Sequence, residues 1–414
     1  MGNSALLAAP KVEKETEGNT NGNISWGACS MQGWRRSMED AHAGVLDIGG
    51  AKGVHYFAVF DGHGGAEVAE YCGKHLHDEL VQHAEFKDGG DIGKAIGETF
   101  VQMDEKIVSP EAKNEMLSLD DSGSFSSSPR EGDAPATSAT LTPPGADLSQ
   151  VARSAAAAAA AEAAQQRRDW EPHSGCTAVA AVVWGSQVFV GNAGDSRCVV
   201  CDSNGKAIPL SFDHKPEDAR EQARIYAAGA VVEMGRVSSR HTSSALNLTR
   251  AIGDLDFKKN PHKGPKEQAV TAWPDIKTLE LDTSDHEFMI LACDGIWDCL
   301  DNQQAVDFVR ARLPKKTAGE KVSVSWLSEI GAEMCDHCLA ADTEGDCLGT
   351  DNMTVMVVLL RGAALDVVNS GVVRAGEGTA EGHADKKRRV SGGQGEGEEA
   401  GEEQTGGAAS GGGR

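Results

Sequence analysis

The chain has 414 residues, 40% of them hydrophobic, which is enough apolar material for one large domain or two and excludes a wholly disordered polypeptide. A formal net charge of −24 argues against a surface built for nucleic acid or anionic lipid, both of which need an excess of Lys and Arg. No apolar run approaches the ~20 residues of a membrane span and the N-terminus lacks the apolar core of a secretory signal, so a soluble intracellular protein, cytoplasmic and/or nuclear, is expected.

Residues 1–24 are polar and Gly/Asn-rich and read as a flexible arm. Met1-Gly2-Asn3-Ser4 opens as an N-myristoylation signal does, but Leu6 stands where a hydroxyl residue is favoured. Membrane association is therefore expected only through acylation at Gly2, which the sequence leaves open, and one acyl chain anchors weakly. Arg35-Arg36-Ser37-Met38-Glu39-Asp40 has two readings. It is either a surface salt-bridge ladder or an Arg that grips a tetrahedral oxyanion while Glu39 and Asp40 face a hard cation. Tyr56–Phe60 reads as a buried strand ending in Asp61-Gly62-His63-Gly64-Gly65. Glycine admits close backbone approach and unusual backbone angles, so Asp61 and His63 are presented; turn dipeptides capping a core strand are the alternative.

Amphipathic helices are predicted over Ala66–His83 and about Ile92–Val108, covering a sheet face. Residues 109–172 shift to Ser, Pro, Gly, Asp and an alanine run, and read as a low-complexity insertion too poor in large apolar residues for a core. Gly175–Trp184 and Gln187–Asn192, joined by Gly185-Ser186, give a hairpin, and Asp195 lies in the turn before strand Arg197–Cys201. A helix from about Glu217 to Ala228 and the polar, irregular stretch 235–246 form a flap, about residues 213–247. Glu287–Ala292 repeats the opening pattern, an apolar strand leading to Asp294-Gly295, with Asp298 close behind. Helices near 302–313 and 322–340 precede a last strand, Met353–Leu360, entered from Asp351-Asn352. Residues 362–414 read as a disordered Gly/Glu-rich tail whose Lys386-Lys387-Arg388-Arg389 is a nuclear-import signal or a solvated charge cluster.

Ten cysteines are too sparse for a disulfide scaffold and imply free thiols. Cys198 and Cys201 would point to opposite faces of a strand, and Cys335 with Cys338 lacks a second pair, so structural thiols are expected over zinc ligation. Glu39, Asp40, Asp61, Asp195, Asp294, Asp298 and Asp351 all sit at strand ends, turns or glycine-flanked positions. If they converge, their repulsion demands bound cations, and oxygen donors favour Mg²⁺ or Mn²⁺ over zinc.

Eight motifs in order resemble the metal-dependent Ser/Thr protein phosphatases of the protein phosphatase 2C (PPM) family, over about residues 25–110 and 172–361. They are Arg-x-x-Met-Glu-Asp at 35–40, Asp-Gly-His-x-Gly at 61–65, Ser-Gly-x-Thr-Ala at 174–178 and Gly-Asp-Ser-Arg at 194–197. Asp-His-Lys-Pro at 213–216, Thr-Arg-Ala-Ile-Gly-Asp at 249–254, Asp-Gly-Ile-Trp-Asp at 294–298 and Asp-Asn at 351–352 complete the set. The resemblance implies an α+β fold, a four-layer α-β-β-α sandwich of two antiparallel sheets flanked by helices with a flap subdomain, spanning residues 25–361. It implies two Mg²⁺ or Mn²⁺ ions in a core site, Asp61 bridging them and the Gly62 carbonyl, Asp294, Asp351, Glu39 and Asp40 completing it. Asp195 and Asp298, with Asp294, would form a weaker third site. Arg35 would bind the substrate phosphate, a water bridging the ions would attack phosphoserine or phosphothreonine, and His63 would be the general acid. Cys176 is then a packed strand residue, not a nucleophile. Expected partners are phosphoserine/phosphothreonine proteins, without nucleic acid, and a monomeric chain. A non-catalytic scaffold and a small-molecule phosphohydrolase on the same fold are the alternatives. The 238–243 segment is longer and more polar than the short Asn-Gly turn usual there, so substrate specificity does not transfer with the resemblance.

Overall fold

The computed structural model describes residues 6–120, 170–282, 285–313, 321–345, 347–360 and 366–368. The strands of the N-terminal half are β1 (Leu6–Thr20), β2 (Ser25–Arg35), β3 (Ala41–Val45), β4 (Val54–Phe60) and β5 (Gly62–His63). Beyond residue 170 come β6 (Gly175–Cys176), β7 (Ala178–Trp184), β8 (Gln187–Ala193), β9 (Arg197–Asp202) and β10 (Ala207–Pro209). Short strands β11 (Val231–Glu233), β12 (Arg236–Ser238), β13 (Ala245–Leu246) and β14 (Ile252–Gly253) follow. The last are β15 (Asp275–Glu280), β16 (His286–Ala292), β17 (Lys321–Ser323), β18 (Met353–Leu359) and β19 (Asp366–Val368). One sheet runs β1-β2-β18-β16-β9-β10 and the other β15-β8-β7-β4-β3, with antiparallel neighbours throughout.

Alternation at every second residue sets how these sheets stack. In β4, Phe57 and Val59 join Met289 and Leu291 of β16 in one apolar layer between the sheets. Tyr56, Ala58 and Phe60 turn the other way, onto helices α1 (Glu67–Gln82) and α3 (Ile92–Lys106), with the short α2 (Ala84–Lys87) between them. Phe288, Ile290 and Ala292 of β16 likewise face Val306 and Leu327 on the opposite outside. Three apolar layers separate four structural ones, which is the α-β-β-α sandwich expected. Because both faces of the central strands are buried, their sequences read as continuous apolar runs. Cys198 and Cys201 fall in different layers, as positions three apart on a strand must, and all ten cysteines are free.

Three expectations need correction. The arm predicted over residues 1–24 is, from Leu6 to Thr20, the edge strand β1, paired along β2. Its polar side chains gave no apolar period because backbone pairing, not side-chain burial, orders it; Lys14 Nζ also meets Asp336 at 2.6 Å. The low-complexity insertion starts later than residue 109: Pro110–Asp120 is a helix, α4, which buries Ala112 and Met116 in the core. Proline at its first position suits a helix start, since that N–H has no intrahelical partner. The stretch 235–246 contains strands β12 and β13, which with β11 make a three-stranded sheet. Together with helix α5 (Ala219–Ala227), capped by the Asp218 carboxylate, it encloses a small core of its own: Ile225, Val237, Leu248, Phe257 and Val270.

At the C-terminal end, α6 (Asp294–Trp297) and α7 (Asn302–Arg312) follow β16, α7 opening on a capping box between Asp301 and Gln304. Helix α8 spans Ser325–Cys338, starting later than expected because Lys321–Ser323 is extended and pairs with β19. Gly2, residues 121–169, the 386–389 cluster and the tail beyond 368 lie outside the described residues. Among the described residues no helix is long and apolar enough to cross a membrane.

Candidate active site

Two Asp-Gly pairs, one from each sheet, build the centre of the site. Asp61 follows β4 and Asp294 follows β16, separated from it by Cys293. A Cβ on Gly62 would lie 2.1 Å from the Glu39 carbonyl oxygen, and one on Gly295 would lie 2.0 Å from the Asn352 carbonyl oxygen. Each glycine thus lets an acidic strand end press against the backbone of another acid-bearing segment.

Carboxylate oxygens of Asp61, Asp195 and Asp294 lie within 4.8 Å of one another, and Asp40, Asp61 and the Cys293 thiol form a second group at the same spacing. Asp61, Gly62, His63, Asp195, Asp294, Asp351 and Arg35 all line one cleft of about 390 Å³. Arg35 pairs with Asp351, and Lys215 with Asp195. Glu39, Asp40 and Asp298 are not part of that lining. Glu39 accepts from the Ser37 hydroxyl at 2.6 Å and from the Gly65 N–H at 3.3 Å. Asp298 ends α6.

The electrostatics are those of crowded acids. Burial, then the charges of Asp294, Asp40, Asp351 and Asp195, push the Asp61 carboxyl well above the usual range. Burial and then Asp195, Asp351 and Asp298 do the same to Asp294, against the pull of Lys215. Asp40 is pushed up to about 7, mainly by burial, although Thr354, Cys293 and Arg35 oppose the rise. Asp351 and Asp298 are raised by burial first, opposed by Arg35 and Lys215 respectively. Carboxyls this close cannot all ionise without added positive charge. Thr354 and Cys293 lie close enough to ease that rise, but among the described residues neither buried Asp40 oxygen has a hydrogen bond of good geometry, the mark of ligand atoms that want a cation. The Cys293 thiol is engaged otherwise, accepting from Thr354 N–H at 3.1 Å, and burial and the nearby Asp40, Asp61 and Asp294 push it up. The donors left are oxygens, which fit a hard divalent ion.

The sequence profile described as Protein phosphatase 2C matches residues 24–128 and 133–347. The chain belongs to the protein phosphatase 2C family. Probable protein phosphatase 2C 58 of Oryza sativa subsp. japonica is 40% identical over 363 residues, 85% of this chain and 88% of the rice protein. Protein phosphatase 2C homolog 2 of Saccharomyces cerevisiae is 36% identical over 93% of this chain and 69% of its own length. A phosphatase from a pathogenic strain of Toxoplasma gondii shares the fold, with a TM-score of 0.57 and 22% identity over 86% of this chain and 97% of that one.

In this protein phosphatase 2C chain the structure adds three residues to which the sequence had given no role. Asp254 accepts from the His63 ring: Nε2 to Oδ2 is 2.7 Å, with Asp254 only 5% exposed. Burial works against charge on His63, but the charge and hydrogen bond of Asp254, then Asp195 and Glu39, outweigh it and raise the imidazole. Asn352 staples the Arg35–Asp40 segment, donating to the Gln32 and Ser37 carbonyls at 2.8 and 3.0 Å and accepting from Glu39 N–H at 2.9 Å. Lys215 supplies the cation beside Asp195. Each closes or lies inside a quoted motif, which was the available signal, but their partners lie far away in sequence. Cys176 is fully buried and burial pushes its thiol well up, the environment of a packed strand residue.

Proposed function

We propose that this phosphatase hydrolyses phosphoserine and phosphothreonine side chains of proteins by direct attack of water, with Mg²⁺ or Mn²⁺ held by the acid cluster. The observation that carries the reading is the convergence of Asp61, Asp195 and Asp294 within 4.8 Å, in one cleft with Arg35 and the His63–Asp254 pair. Asp61, the Gly62 carbonyl, Asp294 and Asp351, with Glu39 and Asp40 on the other side, would hold two ions, and Asp195 with Asp298 and Asp294 a third. When bound, such ions lower the pKa of water and offset phosphoryl charge.

The chain's own groups do the rest. Arg35, exposed toward the cleft, can share its guanidinium between Asp351 and the substrate phosphate in a charge-assisted bond. With Asp254 accepting from Nε2–H, His63 keeps Nδ1, which makes no hydrogen bond among the described residues, to deliver a proton. The water oxygen forms a new P–O bond while the bond from phosphorus to the side-chain oxygen breaks with its electron pair on that oxygen. That oxygen takes the His63 proton, the proton lost by water passes to solvent, and His63 is re-protonated from solvent. The products are inorganic phosphate and the free hydroxyl.

The test is hydrolysis of a phosphothreonine peptide and a small alkyl phosphate by wild type and Asp61→Asn, with Mg²⁺ or Mn²⁺ and with chelator. Cation-dependent turnover that favours the peptide in kcat/KM and is lost in Asp61→Asn is expected. Turnover in chelator, or an unaffected Asp61→Asn, overturns the reading; preference for the small ester overturns the protein substrate.

A further inference from the structure

Asp254 holds His63 from a backbone conformation that side-chain-bearing residues rarely adopt. Its φ is +49° and ψ +39°, and Gly253 before it has φ +82°. Asp tolerates the left-handed region better than most residues, yet such a corner persists only where its surroundings hold it. On the side away from the cleft the pair packs closely on Gly175. A Cβ there would lie 2.4 Å from Asp254 Oδ2 and 2.9 Å from His63 Nε2.

What pins the corner comes from outside the cleft. Asp254 N–H donates to the Ser174 carbonyl at 3.2 Å, and Gly253 N–H donates to Asp104 Oδ1 at 2.9 Å. Asp104 lies on α3 and is largely buried. Its other oxygen meets Lys258 Nζ at 2.6 Å, and Lys258 is only 8% exposed. The same Nζ donates to the Ala251 carbonyl at 2.7 Å. Lys258 closes the single helical turn, Leu255–Phe257, that follows Asp254. One buried ion pair therefore grips the backbone before the corner at two points and is itself rooted after it. Neither member lines the cleft. A pair with these bonds fixes geometry, since breaking it would strand a buried charge.

We propose that Asp104 and Lys258 are positioning residues for catalysis, a buried clamp that keeps Asp254 on His63 Nε2 and so aims Nδ1 at the departing side-chain oxygen. The proposal rests on the reading of His63 as proton donor. General acid help contributes about 10²- to 10⁴-fold and matters only where the leaving group is a poor one. Loosening the clamp therefore slows ester bonds to alkyl hydroxyls and spares activated aryl esters. A residue that merely holds the fold together would slow both alike.

The experiment compares kcat and KM on a phosphothreonine peptide and on aryl phosphates of graded leaving-group pKa, with saturating Mn²⁺. The variants are Asp104→Ala, Asp104→Asn, the apolar pair Asp104→Leu/Lys258→Met, His63→Gln, and His63→Gln combined with Asp104→Ala. The apolar pair guards against misfolding, because replacing a buried ion pair with apolar groups is often neutral for stability. Expected is a kcat loss of about 10-fold or more on the peptide, within the reach of general acid catalysis, with KM unchanged. On 4-nitrophenyl phosphate the loss should be under about twofold. In the His63→Gln background, Asp104→Ala should add nothing. Asp104→Asn, which keeps an acceptor for Gly253 N–H, should recover part of the peptide rate. Equal losses on every leaving group, or losses that multiply with that of His63→Gln, overturn the clamp. If His63→Gln itself shows no leaving-group dependence, the proton-donor reading falls and the clamp with it. If His63→Gln shows it and the clamp variants do not, the clamp alone is refuted.

Discussion

Glu221 offers a prediction whose size follows from the structure. On α5 of the flap its side chain is fully buried, yet it is surrounded by donors. Arg250 reaches it through Nη2 at 2.6 Å and Nε at 3.0 Å, the Thr249 hydroxyl at 2.8 Å, and Arg224 pairs with the same carboxylate. Burial alone would raise this carboxyl, but the Arg250 hydrogen bond and the charges of Arg224 and Arg250 more than reverse it. It is lowered from the ordinary 4.5 to about 2. At about 1.4 kcal/mol for each tenfold change in proton affinity, that depression amounts to about 3 kcal/mol. A carboxyl depressed in the folded state stabilises it above the unfolded value of 4.5, and that contribution drains away as pH falls toward about 2. By pH ~3.5 about 2 kcal/mol should remain. Glu221→Gln leaves Arg224 without a carboxylate and Arg250 with Asp275 alone, at 2.6 Å, and should cost about 3–5 kcal/mol at neutral pH. Urea unfolding of both proteins, followed by tryptophan fluorescence between pH 7 and 3.5, reads the gap between them. The gap should narrow by about 1 kcal/mol over that range. A gap that stays constant with pH, or a variant as stable as wild type at pH 7, refutes the assignment of this stability to the ionised carboxylate.

Other outcomes are expected of the site and the core. Mg²⁺ or Mn²⁺ at 100 times its dissociation constant should stabilise the fold by about 2.7 kcal/mol, read as a rise in melting temperature that chelator reverses; Asp61→Asn should flatten the response, and an identical rise in that variant would detach Asp61 from the ions. His63→Gln should lose more on a phosphothreonine peptide than on 4-nitrophenyl phosphate, by a factor within the about 10²–10⁴ of general acid catalysis; steady-state kinetics that show equal losses would remove His63 as the acid. Met116→Ala should cost about 2–5 kcal/mol in urea unfolding, because Met116 is fully buried. A change under about 0.5 kcal/mol, the range of surface substitutions, would place α4 outside the cooperative core.

What could be read from sequence, and what could not, divides along a physical line. The runs Tyr56–Phe60 and Phe288–Ala292 are buried on both faces, so composition alone announces them, and the acid after each is where a strand must end. The sheet order, by contrast, brings β2, β18 and β16 together from residues 25, 353 and 286, a pairing no local pattern encodes. Strand β1 and helix α4 escaped for different reasons. The first is ordered by backbone pairing at an edge, and the second carries only Ala112 and Met116 as fully buried anchors. Asp254 was visible as a residue but not as a partner, since 191 positions separate it from His63.

The Asp-Gly pairs show which of glycine's two expected properties, close backbone approach or unusual backbone angles, the site uses. Two properties of glycine could have placed it after Asp61 and Asp294: freedom of φ, and the missing β-carbon. Positive φ is found at Gly64 and Gly65 but at neither Gly62 nor Gly295. Their backbones are ones that alanine could adopt. What alanine could not share is the space, since its β-carbon would fall about 2 Å from a backbone carbonyl oxygen, of Glu39 in one case and Asn352 in the other. The two contacts are reciprocal in function. The strand end bearing Asp61 rests on the segment bearing Glu39 and Asp40, and that bearing Asp294 rests on the segment bearing Asp351. Asn352 then ties these two supporting segments to each other through Glu39 N–H and Ser37 O. The acids are therefore brought together by backbone-to-backbone packing, which sets their separation before any side chain turns, and a cluster that repels itself needs a frame of that kind.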